Sequence, residues 1–198
     1  VCIDSRLVEP GDLFVAIEGD SFNGHDFTKH AIDRGAVAAL VNGSRVSRDF
    51  VGTKVEVAET RHALGLLASH YRNDFDIPLI AIGGSNGKTS TKEILTTILR
   101  QRFRTLCSEA SFNNEIGVPL TLLRLMEDHQ FAIVEIGTNH PGELQSLLSI
   151  ACPKYGILTS IGSEHLEFFG DLEGVLFEEG FLAESLPEDG CLFVNGDI

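Results

Sequence analysis

The run Gly84-Ser85-Asn86-Gly87-Lys88-Thr89-Ser90 holds the residues of this chain whose types and spacing most directly suggest chemistry. Glycines let backbone N–H groups turn towards an anion, a lysine reaches terminal phosphates, and a threonine hydroxyl can ligate magnesium. An apolar stretch at 79–83 precedes the run and a helical pattern follows it. The turn therefore opens a helix, whose N-terminal dipole also favours negative charge. These residues support a phosphate-binding loop; the competing reading is a glycine-rich turn that merely closes a tight connection. Ile82 stands where the general loop G-x-x-x-x-G-K-[ST] has its first glycine, which points to a subfamily with a shortened loop.

Such a loop needs a strand and a helix to hold it, and the surrounding pattern supplies them repeatedly. Strands are predicted at 79–83, 131–137, 155–161 and 191–195, and helices at 89–101, 142–150 and 172–186. Nearly all-apolar strands that alternate with helices predict a parallel sheet covered on both faces, with ligands at the carboxyl ends of the strands. Before it, strands at 13–17, 36–41 and 55–58, with helices at 27–34 and 60–71, predict a smaller α/β unit. The polar stretch Asn73 to Pro78 ends in proline and marks a change of pattern. The fold class is thus α/β, with a small N-terminal domain at 1–76 and a parallel-sheet, phosphate-loop domain at 77–198.

Composition restricts the partners. A chain of 198 residues, 43% hydrophobic and 22% charged, can bury a core and matches one large or two small domains. The net charge of −14 sets the chain against nucleic acid and anionic membrane surfaces. A nucleotide must then be held by local devices: a helix N-terminus, placed lysines and a divalent cation. Cys2, Cys107, Cys152 and Cys191 form no C-x-x-C pair, which suits a reducing cytoplasm better than a zinc knuckle or a disulfide framework. No apolar run approaches the ~20 residues that span a bilayer. A cytoplasmic monomer is expected. The start at Val1 and the stop at Asp197-Ile198 suggest that both ends are cut.

Gly84 to Glu93 resembles the short phosphate loop of the Mur ligases, and further segments agree in order. Asp4-Ser5-Arg6, Pro10 to Ala16 and Gly24-His25-Asp26-Phe27 resemble the domain that holds the UDP-sugar substrate in that family. Asn113 to Thr121, Glu135 to Glu143 and His165 to Gly170 follow. Within the family, the Asn-Asn-x-Ile-Gly-Val-Pro-Leu-Thr run and the His-Pro-Gly-Glu stretch look like the ligase that joins D-alanyl-D-alanine to UDP-N-acetylmuramoyl-tripeptide. The resemblance implies ATP and Mg2+ as cofactors, and activation of a carboxylate as an acyl phosphate.

It also implies roles. Gly84, Ser85, Asn86, Gly87, Lys88, Thr89 and Ser90 would hold the nucleotide phosphates, and Thr89 with Glu135 would ligate a first magnesium. Glu135 closes an apolar strand, where a cation would make sense of its charge; pairing with a nearby lysine is the alternative. His165 resembles the ligand of a second magnesium, against the plainer reading of an exposed loop histidine. Asn114 looks like a residue beside the transferring phosphate, or else one that only forms a turn. Glu179 stands where the family usually has a carbamylated lysine, and its carboxylate would substitute for the carbamate; the alternative makes Glu178 and Glu179 solvated helix residues. Ser5, Arg6, Gly24, His25 and Asp26 are the candidate contacts to the UDP-sugar, with turn geometry as the competing reading for the glycine and aspartate.

Three rival functions remain open on the sequence. A nucleotide-dependent switch would be expected to carry the fuller loop and a base-reading motif. A related ligase acting on another carboxylate, as in folylpolyglutamate synthesis, fits the N-terminal segments less well. A non-catalytic nucleotide-binding module is the third.

Overall fold

The computed structural model describes residues 1–19, 22–47 and 49–196; the closing pair Asp197 and Ile198 lies outside the described residues. The chain divides into two compact units, Val1–Leu64 and Gly65–Ile198. Among the described residues no helix is long and apolar enough to cross a membrane.

In the first unit the short apolar runs form a parallel sheet of three strands, β1 (Leu13–Val15), β2 (Ala38–Asn42) and β3 (Lys54–Val57), in that order. A 3-10 turn, Gly24–Phe27, and helix α1, Thr28–Asp33, connect β1 to β2. Phe14 on β1 and Ala16 just after it, and Ala39 and Val41 on β2, lie two residues apart and so share one face of the pleat. Val8, Ala31 and Ala36 close a core over them.

Helix α2, Thr60–Arg72, starts in the first unit and finishes in the second. Ala68 enters the larger core, and the Tyr71 hydroxyl donates to the Leu125 carbonyl at 2.9 Å. The compact units divide inside α2, between Leu64 and Gly65.

The second unit is a five-stranded parallel sheet of β4 (Leu79–Gly83), β5 (Thr105–Cys107), β6 (Phe131–Glu135), β7 (Tyr155–Leu158) and β8 (Cys191–Val194), ordered β5-β6-β4-β7-β8. Its helices are α3 (Lys88–Leu99), α4 (Gly117–Leu122), α5 (Glu143–Ala151), the single turn α6 (Leu166–Phe169) and α7 (Leu172–Glu184). Alternation along the strands decides the two faces. Leu79, Ala81, Ala132 and Val134 pack with Val118, Leu122, Leu144, Leu148 and Leu182, whereas Ile80, Ile82 and Ile133 pack with Leu95 and Leu99 of α3. From β4 the strand order runs outward both ways, through β6 and β7, so the carboxyl end of β4 is the crevice where such sheets take ligands.

Candidate active site

β4 is buried throughout and delivers Gly84 at the edge of the sheet with φ +108°. A side chain cannot be placed there, because a Cβ at Gly84 would stand 2.6 Å from Thr159 Oγ1 and 2.7 Å from the Ser160 carbonyl oxygen. The turn that follows β7 clasps the loop. Ser85 N–H donates to the Ser160 carbonyl at 2.9 Å, Asn86 N–H donates to Ser160 Oγ at 2.9 Å, and Gly162 N–H donates to Ser85 Oγ at 2.8 Å. Gly87 precedes the first turn of α3. Lys88 arches back over the loop, with Nζ donating to the carbonyls of Gly84 at 2.5 Å and Ser85 at 3.3 Å. The glycines, lysine and helix N-terminus are thus assembled at one sheet edge, as a phosphate loop requires.

Glu135 arrives beside the loop because β6 pairs with β4 in the register Ile82↔Glu135. Its side chain is buried, 2% exposed, and both oxygens are engaged. Oε2 accepts from the Thr89 hydroxyl at 2.8 Å, and Oε1 accepts from Asn113 Nδ2 at 2.9 Å. Lys92 Nζ stands 4.0 Å from Oε2. Both sequence readings of Glu135 therefore have their partner in place: the threonine that would share a cation, and a lysine. A hydroxyl and a carboxylate side by side are hard oxygen donors of the kind magnesium accepts when phosphates and water complete its shell. The donor set fits that ion.

Glu178 and Glu179 are both buried, which overturns the reading of solvated helix residues. Glu178 caps α5: Oε2 accepts from Gly142 N–H at 2.9 Å, and Oε1 accepts from Leu144 N–H at 2.9 Å and from the Thr138 hydroxyl at 3.3 Å. Glu179 Oε2 accepts from Gly84 N–H at 2.8 Å and so touches the phosphate loop itself. Burial pushes the Glu179 carboxyl up to about 7, against the lowering influence of Lys88 and the Gly84 amide, with Glu164 and Glu178 adding to the rise.

His165 adopts a left-handed conformation, φ +49°, immediately before α6, and is half-buried. Among the described residues no three His, Cys, Asp or Glu side chains gather as a group that could hold a metal ion. Asn114 forms the turn that its alternative reading described, with Oδ1 accepting from Ile116 N–H at 3.2 Å and Gly117 N–H at 2.9 Å. Its neighbour Asn113 makes the contact with Glu135. Sequence reasoning singled out neither Asn113 nor Lys92. The available signal was helical spacing: Thr89 and Lys92, three residues apart, share a face of α3.

In the first unit, Arg6 is exposed and forked onto Asp4, with Nη2 at 2.6 Å from Oδ2; the guanidinium holds the Asp4 carboxyl down at about 2. Ser5 is buried, its Oγ 3.0 Å from His30 Nδ1. Gly24 lies so close to the chain leaving β1 that a Cβ would stand 2.7 Å from Ile17 N. His25 is buried between Asn23 Oδ1, 2.7 Å from Nδ1, and the Asn42 N–H, which donates to Nε2 at 2.9 Å. Burial lowers its pKa, and both ring nitrogens are occupied inside the unit. His25 therefore positions this turn, whereas Arg6 and Asp26 face outward.

The family model described as "Mur ligase family, catalytic domain" matches residues 1–72, and "Mur ligase middle domain" matches residues 82–198. A UDP-N-acetylmuramoyl-tripeptide--D-alanyl-D-alanine ligase of Escherichia coli is 40% identical over 197 residues, which cover all of this chain and 43% of that protein. The Bacillus subtilis enzyme of the same name is 34% identical, again over all of this chain and 43% of its own length. Among solved structures, MurF from Acinetobacter baumannii superposes with a TM-score of 0.90 at 35% identity, covering 98% of this chain and 42% of that one. MurF ligase from Thermotoga maritima in complex with ADP superposes with a TM-score of 0.87 at 30% identity, covering 99% and 45%. The chain spans less than half the length of these relatives. With two family models matched in order along its sequence, and a phosphate loop, Thr89 and Glu135 at one sheet edge, the chain belongs to the Mur ligase family.

Proposed function

We propose that this chain is the nucleotide-sugar and ATP-binding part of a ligase that joins D-alanyl-D-alanine to UDP-N-acetylmuramoyl-tripeptide. The observation that carries the reading is the juxtaposition of the Thr89 hydroxyl and the Glu135 carboxylate, 2.8 Å apart, beside Lys88 on the phosphate loop. The relatives named for this reaction are 34% and 40% identical across the whole chain.

Lys88 and the loop amides hold the terminal phosphates of ATP. Thr89 and Glu135 would hold a magnesium ion, which would supply charge neutralisation on those phosphates when bound. The terminal carboxylate of the tripeptide attacks the γ-phosphorus, the bond to the bridging oxygen breaks, and ADP departs with that electron pair. The amine of D-alanyl-D-alanine then adds to the acyl carbon, loses a proton, and the adduct expels inorganic phosphate. Asn114 lies on the turn that brings Asn113 to Glu135, which supports a place for it near the transferring group. Glu179 and His165 would serve a second cation, and Glu179 Oε2 accepts from Gly84 N–H of the phosphate loop. Ser5, Arg6, Gly24, His25 and Asp26 form the UDP-sugar side, with Arg6 as the outward-facing diphosphate partner and His25 holding the turn.

Phosphate release from ATP is the test, measured with UDP-N-acetylmuramoyl-tripeptide in the presence and absence of D-alanyl-D-alanine. Release that requires both substrates is expected. Release with a single amino acid in place of the dipeptide moves the protein to another ligase step, and no release with any acceptor leaves a nucleotide-binding module.

A further inference from the structure

The most deeply buried charge at the site belongs to a residue the proposed reaction does not use. Lys92 has no exposed side-chain surface, although a lysine so placed loses its hydration and normally survives only with close partners. Its ammonium donates to the carbonyls of Ser108 at 3.0 Å and Ala110 at 2.5 Å, and approaches Glu93 Oε1 at 3.1 Å. Those contacts tie α3 to the loop that carries Asn113. The same ammonium sits 4.0 Å from Glu135 Oε2, the oxygen that also accepts from Thr89.

Both signs of charge crowd around that oxygen. Glu135 contributes a negative charge, Lys92 a positive charge close by that also meets the exposed Glu93 carboxylate at 3.1 Å, and Lys88 a second positive charge on the adjoining loop. A dication that approached the empty loop would meet one carboxylate already shared with an ammonium. A nucleotide brings several negative charges of its own and reverses the balance.

We propose that Lys92 is a positioning residue that makes the cation site conditional on nucleotide: its ammonium holds Glu135 in place and keeps a free divalent ion out until phosphates arrive. The proposal rests on the reading that Thr89 and Glu135 hold the metal. Both ideas can be tested separately by measuring Mn2+ binding to the protein by electron paramagnetic resonance, with and without ADP. The unaltered protein should bind Mn2+ at this site only with ADP, and Glu135→Gln should lose that binding.

Lys92→Gln retains a donor for the Ser108 and Ala110 carbonyls but removes the charge. It should bind Mn2+ without nucleotide at least about tenfold more tightly than the unaltered protein, as removal of a nearby buried positive charge requires. Lys92→Met should behave alike, and Lys92→Arg should retain the dependence on ADP. Thermal melts identify any variant that does not fold. A folded Lys92→Gln protein with no ADP-independent Mn2+ binding overturns the role of Lys92, as does an unaltered protein that binds Mn2+ without ADP through Glu135. If Glu135→Gln leaves ADP-dependent Mn2+ binding intact, the metal reading itself fails.

Discussion

The hydroxyl of Thr89 and the carboxylate of Glu135 share a hydrogen bond that a metal ion would replace, so substitution at either should act on cation use before it acts on folding. Thr89→Ala and Glu135→Gln are expected to lower kcat/KM for ATP by at least about 100-fold, with a raised magnesium requirement that titration of the metal would reveal. Unchanged magnesium dependence would remove both residues from the site. Glu179 makes a different prediction. Its folded carboxyl titrates near 7 and its ordinary value is 4.5, so the folded protein retains a proton that the unfolded chain releases. The stability associated with that proton is fully present below the unfolded pKa and lost as pH rises through the folded one. Between pH 5 and 8, wild-type protein should lose roughly 2–4 kcal/mol relative to Glu179→Gln, measured by urea unfolding at both values. Parallel pH profiles would refute it. Lys88, Thr89 and Glu135 were legible because their spacing and strand-end position carry meaning locally. Asn113 and Lys92 were not, because what they touch is set by how β5, β6 and α3 meet.

At the scale of elements, Glu178 shows how one helix is begun by another. The preceding residue Gly142 offers α5 no side-chain cap, and the carboxylate from α7 accepts the Gly142 and Leu144 amides instead. Glu178→Ala leaves those buried donors unpaired and should cost about 2–4 kcal/mol, read from the denaturation midpoint. A loss within experimental error would show that water takes over the cap. The long periodic segments α2, α3, α5 and α7 and the strand cores were readable from apolar spacing. The short pieces were not. β5 has three residues, too few to show a period, and α6 is one turn. α4 carries Pro119 in its first turn, where a missing N–H is harmless but where the residue reads as a helix breaker. Several predicted strands also stop early, since residues such as Thr159 to Ile161 leave the ladder to form the turn around the phosphate loop.

For the molecule as a whole, a net charge of −14 opposes the approach of the anionic nucleotide that the proposed function brings to the phosphate loop. The long-range field opposes encounter while Lys88 and the loop amides favour capture, and salt screens the first far more than the second. Association of a fluorescent ATP analogue should therefore become faster, by about twofold or more, as ionic strength rises from ~0.02 M to ~0.15 M, where the Debye length falls to about 8 Å. A stopped-flow rate that falls with salt would place a positive field at the entrance. Composition announced this balance, but only the fold says where the two lysines stand within it. The clasp between the turns after β4 and β7 has one more consequence. Ser160 holds the Asn86 amide with its hydroxyl, an amide that a phosphate could also claim, so occupancy of one turn is transmitted to its neighbour without a direct touch. A dye attached near Ser163, on the exposed surface of the second turn, would then act as an optical gauge of how full the loop is.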